Sequence, residues 1–488
     1  MNLALSEEQT MIRDSAAEVL AERSASAAVR QAIEHTAGRD DGLWHTLASE
    51  LGWCALTVPE AAGGAGLGAM ELVLLMEQMG RRLACVPYFS TVCLAATALA
   101  QCESAAARVW LSRIASGEVS ATLGLDAAAG FDGRTALAYA TGSVDARAAS
   151  AYAAGGVNGH AASAFAAGGV DGRAVSAYAA RGVYGHAASA FAAPAFDART
   201  VTVYAEETAH GYRLSGTLAQ VVDGASADLV LVPALIANEA QTIALFELNC
   251  ADLAGLIRTP LITLDATRPL ARIELNAVDV SRDAMLACGS EVQRALSDTA
   301  WFASLALAAE QLGGAQQCLD LTLAYTAERV QFGRAIASFQ AIKHRCAQMM
   351  VDIEATRSAV FGAALAWDQE RHQWQSQVPD SMRNQTGTSL PPDVLADIAT
   401  AKATANDAFR FCAQEAIQLH GGVGFTWEYD PQLYFKRAQA CSAQFGTTAQ
   451  MLSFIAEQVI DRSDASGEVA QLPLAHADHA QAVLAGVL

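Results

Sequence analysis

AAEQLGGAQQCLDLTLAYTAERVQFGRAIASFQAIKHRCAQMMVDIEATRSA, residues 308–358, decides the fold. On both sides of ERVQFGRA the apolar residues recur at helical spacing, and the Phe-Gly step between them reads as a turn. The pattern predicts long helices over 291–327 and 337–371. Two more follow over 392–419 and 447–461, after a polar loop at about 373–391. Four helices in succession predict a bundle. Working upstream, VTVYAEE, YRLSG, ADLVLVPA, TIALFEL and ARIELNAV, all within 200–285, are short and β-rich and predict a strand-rich unit. Residues 1–120 return to helical spacing at 5–20, 43–52 and 70–82, with a glycine-rich turn at 61–68. Ser6 and Gln9 form the signature of a capping box. The expected fold class is mainly α with a central β-domain. Its units are a helical domain at 1–120, a β-domain at 121–285 and a bundle with tail at 286–488.

Between the first helices and the strands lies a repeat. From Phe131 six copies of thirteen residues, from FDGRTALAYATGS to FDARTVTVYAEET, fill 131–208. Alternating small and aromatic residues with glycine junctions suggest strand-and-turn units. These are either an added meander that meets a partner, or a duplication tolerated in a surface loop, the reading favoured here. His160 and His186, equivalent in two copies, read as turn residues rather than metal ligands. Apolar residues make up 52% and charged residues 17%, a globular composition. The net charge of -20 argues against nucleic-acid and anionic-membrane partners. A phosphate-bearing ligand would need a local basic patch. The ten cysteines show neither zinc spacing nor a disulfide framework, which suggests reduced thiols and a cytoplasmic protein. The apolar run Ala84–Ala100 reads as a buried helix rather than a membrane span. No secretory signal is expected at the start, and HADH at 476–479 reads as solvated tail.

Three stretches together carry a resemblance. LWHTLASELGWCALTVPEAAGGAGLG (43–68), the 308–358 stretch and AIQLHGGVGFTWEYDPQLYFKRAQA (416–440) resemble the acyl-CoA dehydrogenase family. The similarity covers nearly the whole chain outside 131–208. It implies an amino-terminal helical domain, a β-barrel-like middle domain and a carboxyl-terminal four-helix bundle, assembled as a dimer or tetramer. It implies FAD, an acyl-CoA or acyl-carrier thioester as substrate, and an electron-transfer flavoprotein as electron acceptor. By the family's R-x-x-F-G segment, Arg329, Phe332 and Gln340 would contact the dinucleotide. By its Q-x-x-G-G segment, Gln418, Leu419, His420, Gly421 and Gly422 would border the ADP half. Thr447, after Gly446, would serve the ring end. The chemistry suits the residue types: a guanidinium offers a rigid fork to pyrophosphate oxygens, and glycines let backbone amides approach them.

The pattern breaks where the family keeps its base. Such enzymes remove the α-proton of the thioester with a glutamate that precedes Gly-Thr, or with one twenty-six residues before the arginine. Here those positions hold Phe445 and Ala303, and the arginine that accompanies the second arrangement is Ser304. The catalytic residue is therefore left unassigned. Glu310, two helical turns beyond Ala303, and Glu428 and Asp430 are substitutes to be weighed against structural roles. LDAAAGFD (125–132) keeps only Gly130 and Asp132 of the flavin loop, with Asp126 for its glutamate. The ring-contacting strand becomes Gln220, Val221 and Val222. Three functions remain open: an FAD-dependent dehydrogenase with an unidentified base, a non-catalytic subunit contributing to a shared FAD site in a heteromer, or a different flavin reaction on this fold.

Overall fold

The helices predicted in the first third form, with changed detail, in a computed structural model that describes residues 5–125, 201–237, 242–251, 253–377 and 390–458, without the side chains of 372–377. Helix α1 (Glu7–Arg23) starts on the Ser6–Gln9 capping box. It is followed by α2 (Ser26–His35) and α3 (Asp41–His45), which runs into a π-helical turn at Thr46–Glu50. The predicted helix at 70–82 is α4 (Ala69–Arg82). The apolar run at 84–100 is buried as expected, but its centre, Phe89–Ala96, is π-helical and leads into α5 (Thr97–Leu99). Helix α6 (Ala105–Ala115), capped by the Ser104 hydroxyl, closes this unit.

The central strands form one eight-stranded sheet: β1 (Ala121–Leu123), β2 (Val203–Thr208), β3 (Gly211–Val222), β4 (Leu229–Ile236), β5 (Ile243–Asn249), β6 (Leu256–Pro260), β7 (Leu270–Ser281) and β8 (Met285–Cys288). The order is β6-β7-β3-β2-β4-β5-β8, and β1 pairs parallel with β4. Three strands, β1, β6 and β8, were not expected from composition. They are short, and Arg258, Thr259 and Pro260 give β6 the look of a loop. The end of the sixth repeat copy is β2, an ordinary strand between β3 and β4. The earlier copies with His160 and His186, the flavin-loop positions 126–132 and the 476–479 segment lie outside the described residues. Strand β4 explains how sheet and helices share a core. Val230 and Val232 join a cluster within the β-unit, whereas Leu229 and Leu231 face the helices, so both faces are apolar.

Two very long helices, α7 (Ser290–Glu328) and α8 (Gln340–Gln377), come from the opening stretch. Helix α8 continues beyond 371, into what the sequence suggested was loop. The bundle is completed by α9 (Pro392–His420), α10 (Pro431–Cys441) and α11 (Thr448–Ala456). Helices α4 and α7 cross at contact distance because each has a glycine there. A Cβ on Gly80 would lie 1.9 Å from the Glu310 carbonyl oxygen, and one on Gly313 would lie 1.8 Å from that of Glu77. This crossing fixes Glu310 under the first domain. Among the described residues no helix is long and apolar enough to cross a membrane.

Candidate functional site

The residues singled out in the sequence fall at two ends of the bundle. At the first end, Arg329 terminates α7 and the chain turns back in a tight hairpin, Val330–Gln331 pairing with Arg334–Ala335. Its two turn residues, Phe332 (φ 54°) and Gly333 (φ 78°), both have positive φ, as this hairpin type requires. The Ile336 amide donates to the Arg329 carbonyl (2.8 Å), closing the loop, and Gln340 opens α8. Phe332 sits at the tip, 92% exposed. Arg329, Gln340 and Gln418 are exposed too, and no hydrogen bond engages their side chains among the described residues. The Q-x-x-G-G segment is brought to this end by a ring stack. His420 lies 4.3 Å from Tyr325, centroid to centroid, one helical turn before Arg329. His420 is buried, its Nδ1 2.6 Å from the Ala416 carbonyl oxygen, and burial pushes its pKa down. It is thus a neutral wedge between α7 and α9. Leu419 is half-buried beside it. Gly421 (φ 65°) ends α9, and nothing lies within 4 Å of where its Cβ would be, nor of Gly422's. Their backbone faces open space. Exposed Arg329, Arg334 and Lys343, on the hairpin and the first turn of α8, have no acid partner among the described residues.

Thr447 stands at the other end. It caps α11, its amide and hydroxyl both meeting Gln450 Oε1 at 2.9 Å. The Ser304 hydroxyl donates to the Phe445 carbonyl (2.8 Å), and the Asn406 amide to that of Gly446 (3.1 Å), which fixes this loop over the middle of α7. Ser304 and Tyr325 are separated along α7 by about 31 Å at 1.5 Å per residue. The two sets therefore do not converge within one chain.

Phe445 is 1% exposed, and its ring meets Phe89 edge-on at 5.6 Å. Arg268 lies over the other ring, 4.7 Å from the Phe89 centroid. The same guanidinium pairs with Glu310, whose second oxygen accepts from Arg437. Arg437 also lies 2.6 Å from Asp265 Oδ2 and donates to the Thr267 hydroxyl. Burial alone would push the Glu310 carboxyl up, but the two guanidiniums outweigh it and hold it below the usual range. Beside them Lys402, fully buried, donates to Gln311 Oε1 (3.1 Å), Asn406 Oδ1 (2.7 Å) and the Cys441 carbonyl (3.0 Å). Burial pushes its pKa down to about 7. As for the other acids, Asp430 is bound by Arg30 (2.6 Å) and Ser26 (2.6 Å), and Glu428 is exposed. None of the three substitutes is a free, desolvated carboxylate such as proton abstraction needs.

Two family descriptions match the chain: "Acyl-CoA dehydrogenase, N-terminal domain" over residues 6–118 and "Acyl-CoA dehydrogenase, C-terminal domain" over 301–460. The chain belongs to the acyl-CoA dehydrogenase family. It is 26% identical to acyl-CoA dehydrogenase IpdE2 of Mycolicibacterium smegmatis, over 93% of this chain and 100% of that protein. It is 28% identical to IpdE2 of Mycobacterium tuberculosis, over 93% of this chain and 98% of that one. Among solved structures it resembles the steroid ACAD Tcur3481-Tcur3483 at 25% identity and a TM-score of 0.66, covering 94% of this chain and 99% of that one.

Membership in the acyl-CoA dehydrogenases makes FAD the cofactor. The first end of the bundle fits it: exposed cations and amides lie at the end of the bundle where the Tyr325–His420 stack also brings two glycines, with open space where their Cβ atoms would be. The second end does not. Val221 and Val222 of the ring strand are buried in apolar clusters, and Phe445 and Phe89 fill the space next to Ser304.

The sequence reading missed Asp265, Arg268, Lys402 and Arg437, and with them Asp223. Asp223 follows β3 in the left-handed region (φ 53°), buried, accepting from the Ser90 hydroxyl at 2.6 Å. For Lys402 the available signal was a lone charge within an apolar stretch, TAKATA. Burial pushes the Asp223 carboxyl up to about 6, against the Ser90 hydrogen bond and the Arg268 charge. The folded protein thus holds this proton more tightly than the unfolded chain, whose carboxyl titrates near ~3.9. Its contribution to stability falls as pH rises through that window, from ~4 to about 6. Asp223→Asn, an exchange the left-handed conformation tolerates, should gain on the wild type in urea midpoint between pH 4.5 and 6.5. Parallel pH profiles for the two proteins would refute the assignment.

Proposed function

We propose that this chain serves FAD-dependent α,β-dehydrogenation of an acyl thioester as the subunit without a base in a heteromeric acyl-CoA dehydrogenase, lending its Arg329 end to an FAD held in part by a sister chain. The observation that carries the reading is Phe445: the position of the family's glutamate is an apolar side chain, buried and packed against Phe89. Three further points support it. The other base position, Ala303, is fully buried. Glu310, the nearest acid along α7, is neutralised by two guanidiniums. The cation-rich end is about 31 Å along α7 from the Phe445 end, so the two sets of residues form no single compact site within this chain, which suits a cofactor held mainly by another chain. The similar steroid ACAD Tcur3481-Tcur3483 bears the names of two components.

FAD supplies the hydride acceptor of this chemistry. The residues of this chain act on its phosphates: Arg329, Arg334 and Lys343 offset their charge, Gln340 and Gln418 add amide donors, and Gly421 and Gly422 let backbone approach. The proton-taking carboxylate comes from the sister chain, which also holds the acyl-CoA or acyl-carrier thioester. Electrons then leave to an electron-transfer flavoprotein.

The experiment is to purify the chain alone and together with a base-bearing acyl-CoA dehydrogenase chain encoded beside it. Visible absorption is recorded before and after anaerobic addition of acyl-CoA. The pair should be yellow and should bleach; the chain alone should not bleach. Arg329→Ala should lower the FAD retained by the pair about tenfold, the scale of one lost charge-assisted contact pair. Bleaching by the chain alone would overturn the proposal.

A further inference from the structure

Between the amino-terminal helices and the far ends of α7 and α8 lies a cavity of about 340 Å³, lined by residues to which the reading above gives no role. Val58, Leu67, Phe302 and Trp367 form apolar walls, and Asp368 and Arg371 are its charged members. Asp368 is already committed. Its Oδ1 accepts from the Ala69 amide at 2.6 Å and its Oδ2 from that of Met70 at 3.0 Å, capping α4. Glu71 takes the remaining Gly68 amide at 3.0 Å. The helix terminus is therefore closed to an outside anion. Arg371 differs. Its guanidinium carbon lies 5.7 Å from the Trp367 ring centroid, and it forms no hydrogen bond among the described residues. Burial opposes its charge more than the nearby Asp298 and Asp368 favour it. A guanidinium carries five N–H donors and cannot shed its charge, so donors facing a cavity call for acceptor oxygens.

We infer that this cavity is a binding site for an apolar monocarboxylate, with its hydrocarbon part against Phe302, Trp367 and Leu67 and its carboxylate on Arg371. Size sets the class. An apolar cavity of ~150 Å³ takes up benzene, so this one holds a body roughly twice as large. That suits a medium-chain or bicyclic acid, and it is too small for a coenzyme A thioester. The inference is independent of the proposed FAD role, because none of these side chains belongs to either end described above.

The test is isothermal titration of the full chain, with its sister subunit where the two co-purify, using sodium octanoate and 1-octanol as probes. Octanoate should bind saturably, about tenfold tighter than the alcohol. Arg371→Met should reduce octanoate to the level of the alcohol, whereas Arg371→Lys should keep the preference. Ala100→Leu, which places side-chain volume in the same cavity, should abolish binding of both. The inference is overturned if octanoate does not saturate, if acid and alcohol bind alike, or if Arg371→Met leaves the preference intact. Should Arg371→Met fail to fold, unchanged octanoate affinity in Ala100→Leu would overturn it as well.

Discussion

Replacing Glu310 with glutamine is expected to destabilise the protein by about 3–5 kcal/mol, the scale for breaking a buried ion pair by removing one partner. Arg268 and Arg437 converge on that carboxylate, and all three side chains are buried. With the carboxylate gone, Arg437 keeps Asp265 and Thr267, whereas Arg268 keeps, among the described residues, the Phe89 ring, a long contact to the Cys441 sulfur and the more distant charge of Asp223, with no carboxylate in contact. The cost is thus mainly that of one stranded guanidinium. Adding Arg268→Met to Glu310→Gln should therefore recover a large part of the loss, a non-additivity expected of residues in one network. The pH dependence has a definite sign. The Glu310 carboxyl is held below its ordinary value, so its contribution is present above the unfolded pKa of ~4.3 and fades as pH falls through the folded value. Urea unfolding at pH 7 and in acid reads both effects. A double variant no more stable than the single one would show that the network is not organised around this carboxylate.

The same residue marks what sequence could and could not give. The helix–sheet–helix order was readable because α7, α8 and α9 carry sustained helical periodicity and β2 to β5 are β-rich. The likeness of R-x-x-F-G and Q-x-x-G-G located the Arg329 end, and the stack of Tyr325 on His420 puts those segments side by side. Periodicity also placed Glu310 on a face near Ala303. It could not say that two arginines, from a loop before β7 and from α10, close on it across distances of 42 and 127 residues. Partners that far apart leave no local trace. The π-helical turn at Phe89–Ala96 was hidden for another reason: its residues are apolar on every side, so no face stands out. Short β6 and β8 carry too few residues to show alternation.

Restoring the family's carboxylate with Phe445→Glu should not restore chemistry. Phe445 is in the left-handed region (φ 49°), its carbonyl bound by Ser304 and its ring wedged on Phe89. A glutamate there would lose the aromatic packing, worth about 3–5 kcal/mol when such a ring is removed from a core. Its charge would be buried with Arg268 already committed to Glu310, and burial would raise its pKa. The expected result is a less stable chain that, purified alone, leaves flavin unbleached by acyl-CoA. Phe445→Leu is the companion. It keeps an apolar side chain and should leave turnover of the two-chain enzyme unchanged, because on this reading no reacting atom lies near it. Anaerobic bleaching separates the possibilities. If Phe445→Glu alone reduces flavin, room for a thioester exists beside Ser304 and only the base was missing. If Phe445→Leu lowers kcat of the pair at constant FAD content, this loop works closer to the reacting atoms than its packing against Phe89 implies.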